Sequence, residues 1–334
     1  MPGILGDALF RATDDARFRT NGSVAALIGW RRRLRALSGG DDWNIGVIGQ
    51  NAADIVRHGI RETVHWLERP SPWHMLADPA CLARPDGGLT LFAEWMDRRY
   101  GHGEIWAAEV APGAAASKAV FHPLLAAPVH MSYPFPFTEE NGDIGLTAES
   151  WQAGEAPLWR YDGTSWRRCP PLLAGRPIVD PTLWRAPDRW WLFCTLQDDQ
   201  PEAHLHIFHA VSLAGPWQPH AANPVKRDPG SSRPAGPLFG VDGALIRPAQ
   251  DCSDTYGGAV VLNVVRTLDP ESFVEEPCRR LAPIGGPFPH GLHTFCPAGA
   301  VTLIDGKRWR LRRHVPRRLL KRLGLGSARP MPRR

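Results

Sequence analysis

The sequence predicts an all-β chain folded as a five-bladed β-propeller. Three observations carry this. Gly and Pro number 33 each, about a fifth of the chain against roughly 12% in ordinary domains, which favours many turns and few long helices. Short β-branched and aromatic runs alternate with turn dipeptides, and no helical pattern occurs between residues 70 and 310. A polar-Pro element recurs ahead of strand–turn–strand units at blade-like spacing.

Residues 1–40 read as an appendage. Within it, 24–37 (VAALIGWRRRLRAL) has the pattern of a short amphipathic helix with a basic face, ending at Gly39-Gly40, and packing on the main domain is its simplest role. Residues 41–312 read as the propeller. Strands are expected at 43–49, 89–96 after Asp86-Gly87-Gly88, 143–150 after Asn141-Gly142, and 189–196 after Pro187-Asp188. Others are expected at 243–250 after Asp242-Gly243, at 259–265 after Gly257-Gly258, and at 300–305 before Asp305-Gly306. Asn-Gly and Asp-Gly between such runs are hairpin signals.

The recurring element is read at Ala77-Asp78-Pro79, Ser132-Tyr133-Pro134, Val179-Asp180-Pro181, Arg247-Pro248-Ala249 and His293-Thr294. Five units imply five blades. The strand around Trp43 then completes the last blade and closes the ring, which removes exposed sheet edges.

The formal net charge of +5 is uneven. Residues 305–334 hold twelve Lys or Arg and one acid, net +11, so the rest is net −6. A uniformly basic nucleic-acid surface is excluded, and no nucleic-acid partner is expected. The tail, 313–334, reads either as a solvated end or as a short basic helix on an anionic membrane. Six Cys show no metal or redox spacing and suit a reducing compartment. The N-terminus shows no signal peptide and no run of ~20 apolar residues occurs, so a cytoplasmic location is the expectation, peripheral at the inner membrane face only on the membrane-binding reading of the tail. P-loop, Rossmann, serine-hydrolase and zinc-protease motifs are missing, and no cofactor is expected.

The runs HMSYPFPF…GDIGLTAES (130–150), VDPTLWRAPDRWWLFCT (179–195), SLAGPWQPHAANPV (212–225) and RPAGPLFGVDGALIRPAQDCSDTYG (233–257) carry a resemblance. They resemble the N-terminal-domain family of glucosamine inositolphosphorylceramide transferase, over roughly residues 40–310. The resemblance implies a five-bladed propeller similar to glycosidases of the arabinanase/xylosidase type. The transferase activity of long plant members goes with a separate nucleotide-sugar domain. No such domain is visible in this sequence, so a separate glycosyltransferase partner is an open possibility.

Sugar hydrolysis needs one carboxylic acid to protonate the leaving oxygen and one carboxylate as base or nucleophile. Asp78 and Asp180 each precede a Pro, which suits the first position of an inner strand. By likeness to the glycosidases, Asp78 is the base and Asp180 an orienting carboxylate; a backbone cap on the local turn is the competing reading for each. Glu149 and Glu94, at the ends of apolar strands, are the candidate general acids. Glu275-Glu276 read as solvent-facing. Arg233, Arg247, Gln250 and Asp251 form the densest polar cluster, suited either to substrate binding or to pinning blade four. Tyr133, Tyr256, His130 and His293 are further pocket candidates. His290-x-x-His293 lacks a third ligand, and His204, His206 and His209 straddle a strand, so no metal site is expected. Trp190 and Trp191 must face opposite sides of one strand. Two readings stay open: a carbohydrate-active enzyme acting on a glycosidic bond, and a non-catalytic propeller binding a glycan or glycolipid.

Overall fold

The computed structural model describes residues 39–139 and 141–311. The helix read at 24–37 and the basic tail lie outside the described residues. Chain contacts separate a unit holding Trp43–Arg308 from a second unit, Ala16–Asp42 with Trp309–Arg334, of which residues 39–42 and 309–311 are described. Within the second unit Arg310 Nε pairs with Asp42 Oδ2 at 2.8 Å.

The chain opens with β1 (Gly39–Ile48), a short helix α1 (Ala52–His58) and β2 (Val64–Trp66). The sequence reading did not foresee α1. Asn51 caps it, its Oδ1 accepting from Asp54 N at 2.9 Å, and Gly59 ends it. Blade one is β3 (His74–Ala83), β4 (Leu89–Asp97), β5 (His102–Val110) and β6 (His122–Leu125). Blade two is β7 (Ser132–Thr138), β8 (Ile144–Glu149), β9 (Glu155–Tyr161) and β10 (Trp166–Ala174). Blade three is β11 (Ile178–Arg185), β12 (Trp190–Leu196), β13 (His204–Ala210) and β14 (Gln218–Pro219), with β15 (Lys226–Arg227) also paired to β13. Blade four is β16 (Phe239–Val241), β17 (Ala244–Asp251), β18 (Ala259–Leu268) and β19 (Phe273–Leu281). Blade five joins the chain's ends, with β20 (Phe295–Ala298), β21 (Val301–Leu311), β1 and β2 in one sheet of order β2-β1-β21-β20. The strand around Trp43 therefore closes the ring, as its sequence position suggested.

The core sits between blades. Among the described residues, buried apolar clusters fill all five interfaces of the ring. Phe92 and Ile105 meet Leu146 between blades one and two. Phe135 and Phe137 meet Leu183 and Leu192 between two and three. Trp191 and Phe193 meet Leu238 between three and four. Ile246 and Leu262 meet Phe295 and Ile304 between four and five. Ile45 and Leu303 meet Leu76 and Leu91 between five and one. Trp190 and Trp191 serve different interfaces, as strand alternation requires.

Three sequence readings are corrected. The fourth X-Pro element is Arg233-Pro234 rather than Arg247-Pro248-Ala249. Pro234 bridges Ala249 at the inner edge of blade four, and the first four elements are then spaced by 55, 47 and 53 residues. Asp305-Gly306 is not a turn, because β21 runs through it. Gly306 is required for packing: an added Cβ would meet the Trp66 ring at 2.2 Å. Glu275 is not solvent-facing. Its side chain is 2% exposed and pairs with Arg247 at 2.6 Å and Lys226 at 2.8 Å, while Glu276 is 61% exposed.

Gly236 holds the inner edge of blade four against β20. Its φ is +132°, and a Cβ there would lie 2.2 Å from the Phe295 carbonyl oxygen. Gly236→Ala is expected to destabilise the fold by at least about 3 kcal/mol, read as a lowered melting temperature by circular dichroism; an unchanged melt would refute this account.

Candidate functional site at the propeller axis

The first three inner strands share one irregularity. β3, β7 and β11 each shift register at the X-Pro, between Ala77 and Ala80, Ser132 and Phe135, and Val179 and Thr182. At each shift a non-Gly residue takes left-handed backbone: Asp78 (φ 50°), Tyr133 (φ 46°) and Asp180 (φ 50°). That conformation is disfavoured for a residue before Pro and costs on the order of 1–3 kcal/mol each. The bulge takes the N–H out of the ladder and aims it at a carboxylate of the preceding blade. Asp78 N donates to Asp305 Oδ2 at 3.1 Å, Tyr133 N to Asp78 Oδ2 at 3.0 Å, and Asp180 N to Glu149 Oε2 at 3.2 Å.

The second strands supply the facing residues. Glu94 stands opposite Ala77, and Glu149 opposite Ser132. Gln250 lies at the matching place in blade four, its N–H donating to Arg233 O at 2.8 Å. Asp305 plays this part in blade five. All of these are buried. Asp180 accepts from Arg233 Nε at 2.6 Å and from Gln250 Nε2 at 3.0 Å. Arg233 also lies 3.7 Å from Glu149 and over the Tyr256 ring, 4.8 Å from its centroid. Glu94 faces His130 Nε2 at 3.3 Å. Gly103 N donates to His130 Nδ1 at 2.9 Å, so the ring's proton sits on Nε2, toward Glu94. His293 lies 2.5 Å from Asp305 and 3.3 Å from Asp78 through its two ring nitrogens. Trp43 stacks on it with centroids 3.8 Å apart.

This crowding of acids separates their proton affinities. Burial, and then the charges of Glu94, Asp305 and Asp180, push Asp78 up to about 7, against the pull of His293. Burial and the neighbouring Asp180 hold Glu149 well above the usual carboxylate range, although Arg233 opposes them. Burial also works against ionised Asp305, but His293 and the N–H donors around it outweigh that and keep its pKa low. Burial likewise opposes a charge on His130, yet Glu94 and Asp78 raise it. Acid and base roles follow where environments drive like groups apart. Here Glu149 is the proton holder, and Asp78 changes state near neutrality.

Asp78, His293 and Asp305 each place a ligand-type atom within 4.8 Å of the others. Their oxygens are already committed. Asp305 accepts from the N–H groups of Asp78, His293 and Thr294, and Asp78 accepts from Tyr133 N and Thr294 Oγ1. The trio is therefore joined by a hydrogen-bonded network. His290 is exposed and does not join His293 there.

The structure thus brings together Asp78, Asp180, Glu149, Glu94, Arg233, Gln250, Tyr256, His130 and His293. Tyr133 contributes differently. Its hydroxyl contacts Thr182 Oγ1 at 2.8 Å and accepts from Gly236 N at 2.7 Å, which ties three blades together. Arg247 and Asp251 stand apart from the axial group. Arg247 is spent on Glu275 and the carbonyls of Ser231 and Ser232, and Asp251 pairs with Arg280 at 2.9 Å. They pin blade four. Sequence reasoning missed Asp305, hidden as an apparent Asp-Gly turn, and Trp43, which nothing local distinguishes from a core residue.

The family model described as glucosamine inositolphosphorylceramide transferase 1, N-terminal, matches residues 52–280. The chain belongs to this family. Glucosamine inositolphosphorylceramide transferase 1 of Oryza sativa subsp. japonica is 36% identical over 155 residues, covering 44% of this chain and 21% of that protein. The Arabidopsis thaliana protein of the same name is 31% identical over 215 residues, covering 61% of this chain and 27% of that one. The matched region thus spans about a quarter or less of these relatives' length. Among solved structures, a family 117 glycoside hydrolase of Zobellia galactanivorans superposes with a TM-score of 0.50 at 10% identity, over 80% of this chain and 90% of that one. An exo-beta-1,3-galactanase of Clostridium thermocellum gives a TM-score of 0.50 at 11% identity, over 69% and 58%. These two likenesses speak to the fold. All four axial carboxylates of blades one to three, with Arg233 and Gln250, fall inside the family span. His293 and Asp305 fall beyond it.

Asp78 ionises near 3.8 in its ordinary state and near 7 when folded. Between those values the unfolded chain has released the proton that the folded chain keeps. Stability therefore falls as pH rises through this window and levels off above about 7, by up to about 4 kcal/mol from this group alone. His293, also raised, adds stability that is complete below its ordinary value of 6.5 and is lost as pH rises from there. Asp78→Asn is expected to flatten the decline between about pH 4 and 7, measured as melting temperature against pH. A slope identical to wild type would rule out Asp78 as its source.

Proposed function

We propose that this propeller binds a glycan at its axial floor and acts on a glycosidic bond, by hydrolysis or by transfer to another sugar. The observation that carries the reading is the division of labour between two neighbouring carboxyls. Glu149 holds a proton well above the usual range, and Asp78 gives its own up near neutrality. Glu149 then protonates the leaving oxygen, and Asp78 takes a proton from the attacking water or acceptor hydroxyl. Asp180, held by Arg233 and Gln250, keeps the proton on Glu149. Tyr256, which is half-buried, offers a ring for sugar packing. The family's membership in glycolipid-glycosylating proteins and the sugar-cleaving relatives by fold support a carbohydrate ligand.

A non-catalytic glycan- or glycolipid-binding propeller, assisting a separate glycosyltransferase, is the second reading. It is favoured by the Asp78 carboxylate, whose two oxygens already accept from Tyr133, Thr294 and His293 and whose side chain is only 8% exposed.

Glycan-array binding combined with product analysis separates the two. The enzyme reading expects turnover that rises as pH passes about 7, a loss of at least ~100-fold in Asp78→Asn and Glu149→Gln, and retained binding in both. Binding without turnover in wild type would sink the catalytic reading and leave the binding one.

The chain is also proposed to work in the cytoplasm, peripheral to an anionic membrane through its basic tail, where each basic residue adds roughly 1 kcal/mol. Removal of residues 316–334 is expected to abolish sedimentation with anionic liposomes. Unchanged sedimentation would reject this.

A further inference from the structure

We propose that Asp305, His293 and Asp78 form one proton-sharing chain, in which Asp305 fixes His293 as an imidazolium and His293 thereby sets the protonation of Asp78. His293 is a positioning residue in this scheme. The inference deepens the glycan-site reading, but its test needs no glycan, so the two fail separately.

The argument begins with the ring's two nitrogens. Nδ1 lies 2.5 Å from Asp305 Oδ2, and Nε2 lies 3.3 Å from Asp78 Oδ1. A neutral imidazole has one N–H and serves one carboxylate, leaving its other lone pair facing an anionic oxygen. Two such neighbours are satisfied together only by the doubly protonated ring, or by a proton on one of the acids. Asp305 is not that acid. It is fully buried, and three backbone N–H groups converge on it, two on Oδ1 and one on Oδ2. Such donors favour the anion. The shared proton therefore lies on the His293–Asp78 side.

The surroundings agree. Trp43, on β1, stacks on His293 with an interplanar angle of 18°, a contact that favours a cation. Tyr256 meets the ring edge-on at 5.3 Å. Asp180 adds negative charge from blade three, and Glu94 adds to the field at Asp78 from blade one. Lys307, on β21, opposes these, its ammonium 5.2 Å from the Trp43 ring centroid and 5.9 Å from that of Tyr256. Thr294 Oγ1 donates to Asp78 Oδ1 at 3.3 Å, which fixes the carboxylate toward the ring. Trp43 belongs to the strand that closes the propeller, so the chain is complete only in the closed ring.

Nitrogen-15 NMR of the histidine-labelled full chain tests this, with His293→Gln assigning the ring signals. Across about pH 5.5–8 both His293 nitrogens are expected to stay protonated. Asp305→Asn is expected to lower the ring's titration midpoint by at least about one unit, a tenfold loss of proton affinity. Asp78→Asn is expected to lower the midpoint too, while the neutral ring keeps its proton on Nδ1, toward Asp305. This second variant decides the matter if Asp305→Asn does not fold. A neutral wild-type ring near pH 6.5, an unmoved midpoint in a folded variant, or a neutral ring protonated on Nε2 in Asp78→Asn would each overturn the proposal.

Discussion

Everything at the centre of this protein depends on three backbone N–H groups that the sheets do not use. At Asp78, Tyr133 and Asp180 the inner strand bulges at an X-Pro, the residue turns left-handed, and its amide points at a carboxylate of the preceding blade. A buried amide without a partner is costly. A buried carboxylate without donors is costlier. Each defect repairs the other, and the repair runs from blade to blade. The strain of the bulges is thus tied to the ring's closure, and the acids of the axis are held in place by it.

That arrangement limits which acids remain for chemistry. Asp180 is paired with Arg233 and hydrogen-bonded by Gln250, and Asp305 is saturated by backbone donors and His293. Glu94 faces His130. Glu149 is buried beside Asp180, and Arg233, shared and at 3.7 Å, does not offset that, so its proton stays. Asp78 is balanced between His293 and three acids, and so titrates near neutrality. Charges away from the axis serve packing instead. Arg247, Glu275 and Lys226 form a closed network inside blade four, the arrangement in which burying ions is tolerable because each is paired and hydrogen-bonded.

Much of this was legible in the residues. Asn-Gly and Asp-Gly turns marked the hairpins, and the X-Pro spacing marked the blades. Asp78 and Asp180 were found because Pro sits badly anywhere but a strand's start or a bulge. Arg247-Pro248 misled because it satisfies the same rule, yet its strand β17 is the second of its blade, and Pro248 is accommodated opposite Leu262. Glu275 misled because two adjacent acids look solvated, whereas alternation sends one of them inward. Asp305-Gly306 misled because Asp-Gly is a turn signal unless a large ring, here Trp66, demands the space over the glycine.

The sequence by itself determined the architecture, since turn chemistry and strand patterning act over a few residues and repeat five times. It also determined most of the candidate acids. Only the tertiary structure decided their partners. Asp78 meets Asp305 and His293 across more than two hundred residues of chain, and Trp43 reaches His293 through a strand donated by the opposite end. Proton affinities are set by such neighbours and by burial, both of which depend on distance in space. A local pattern carries no information about either until the ring has closed.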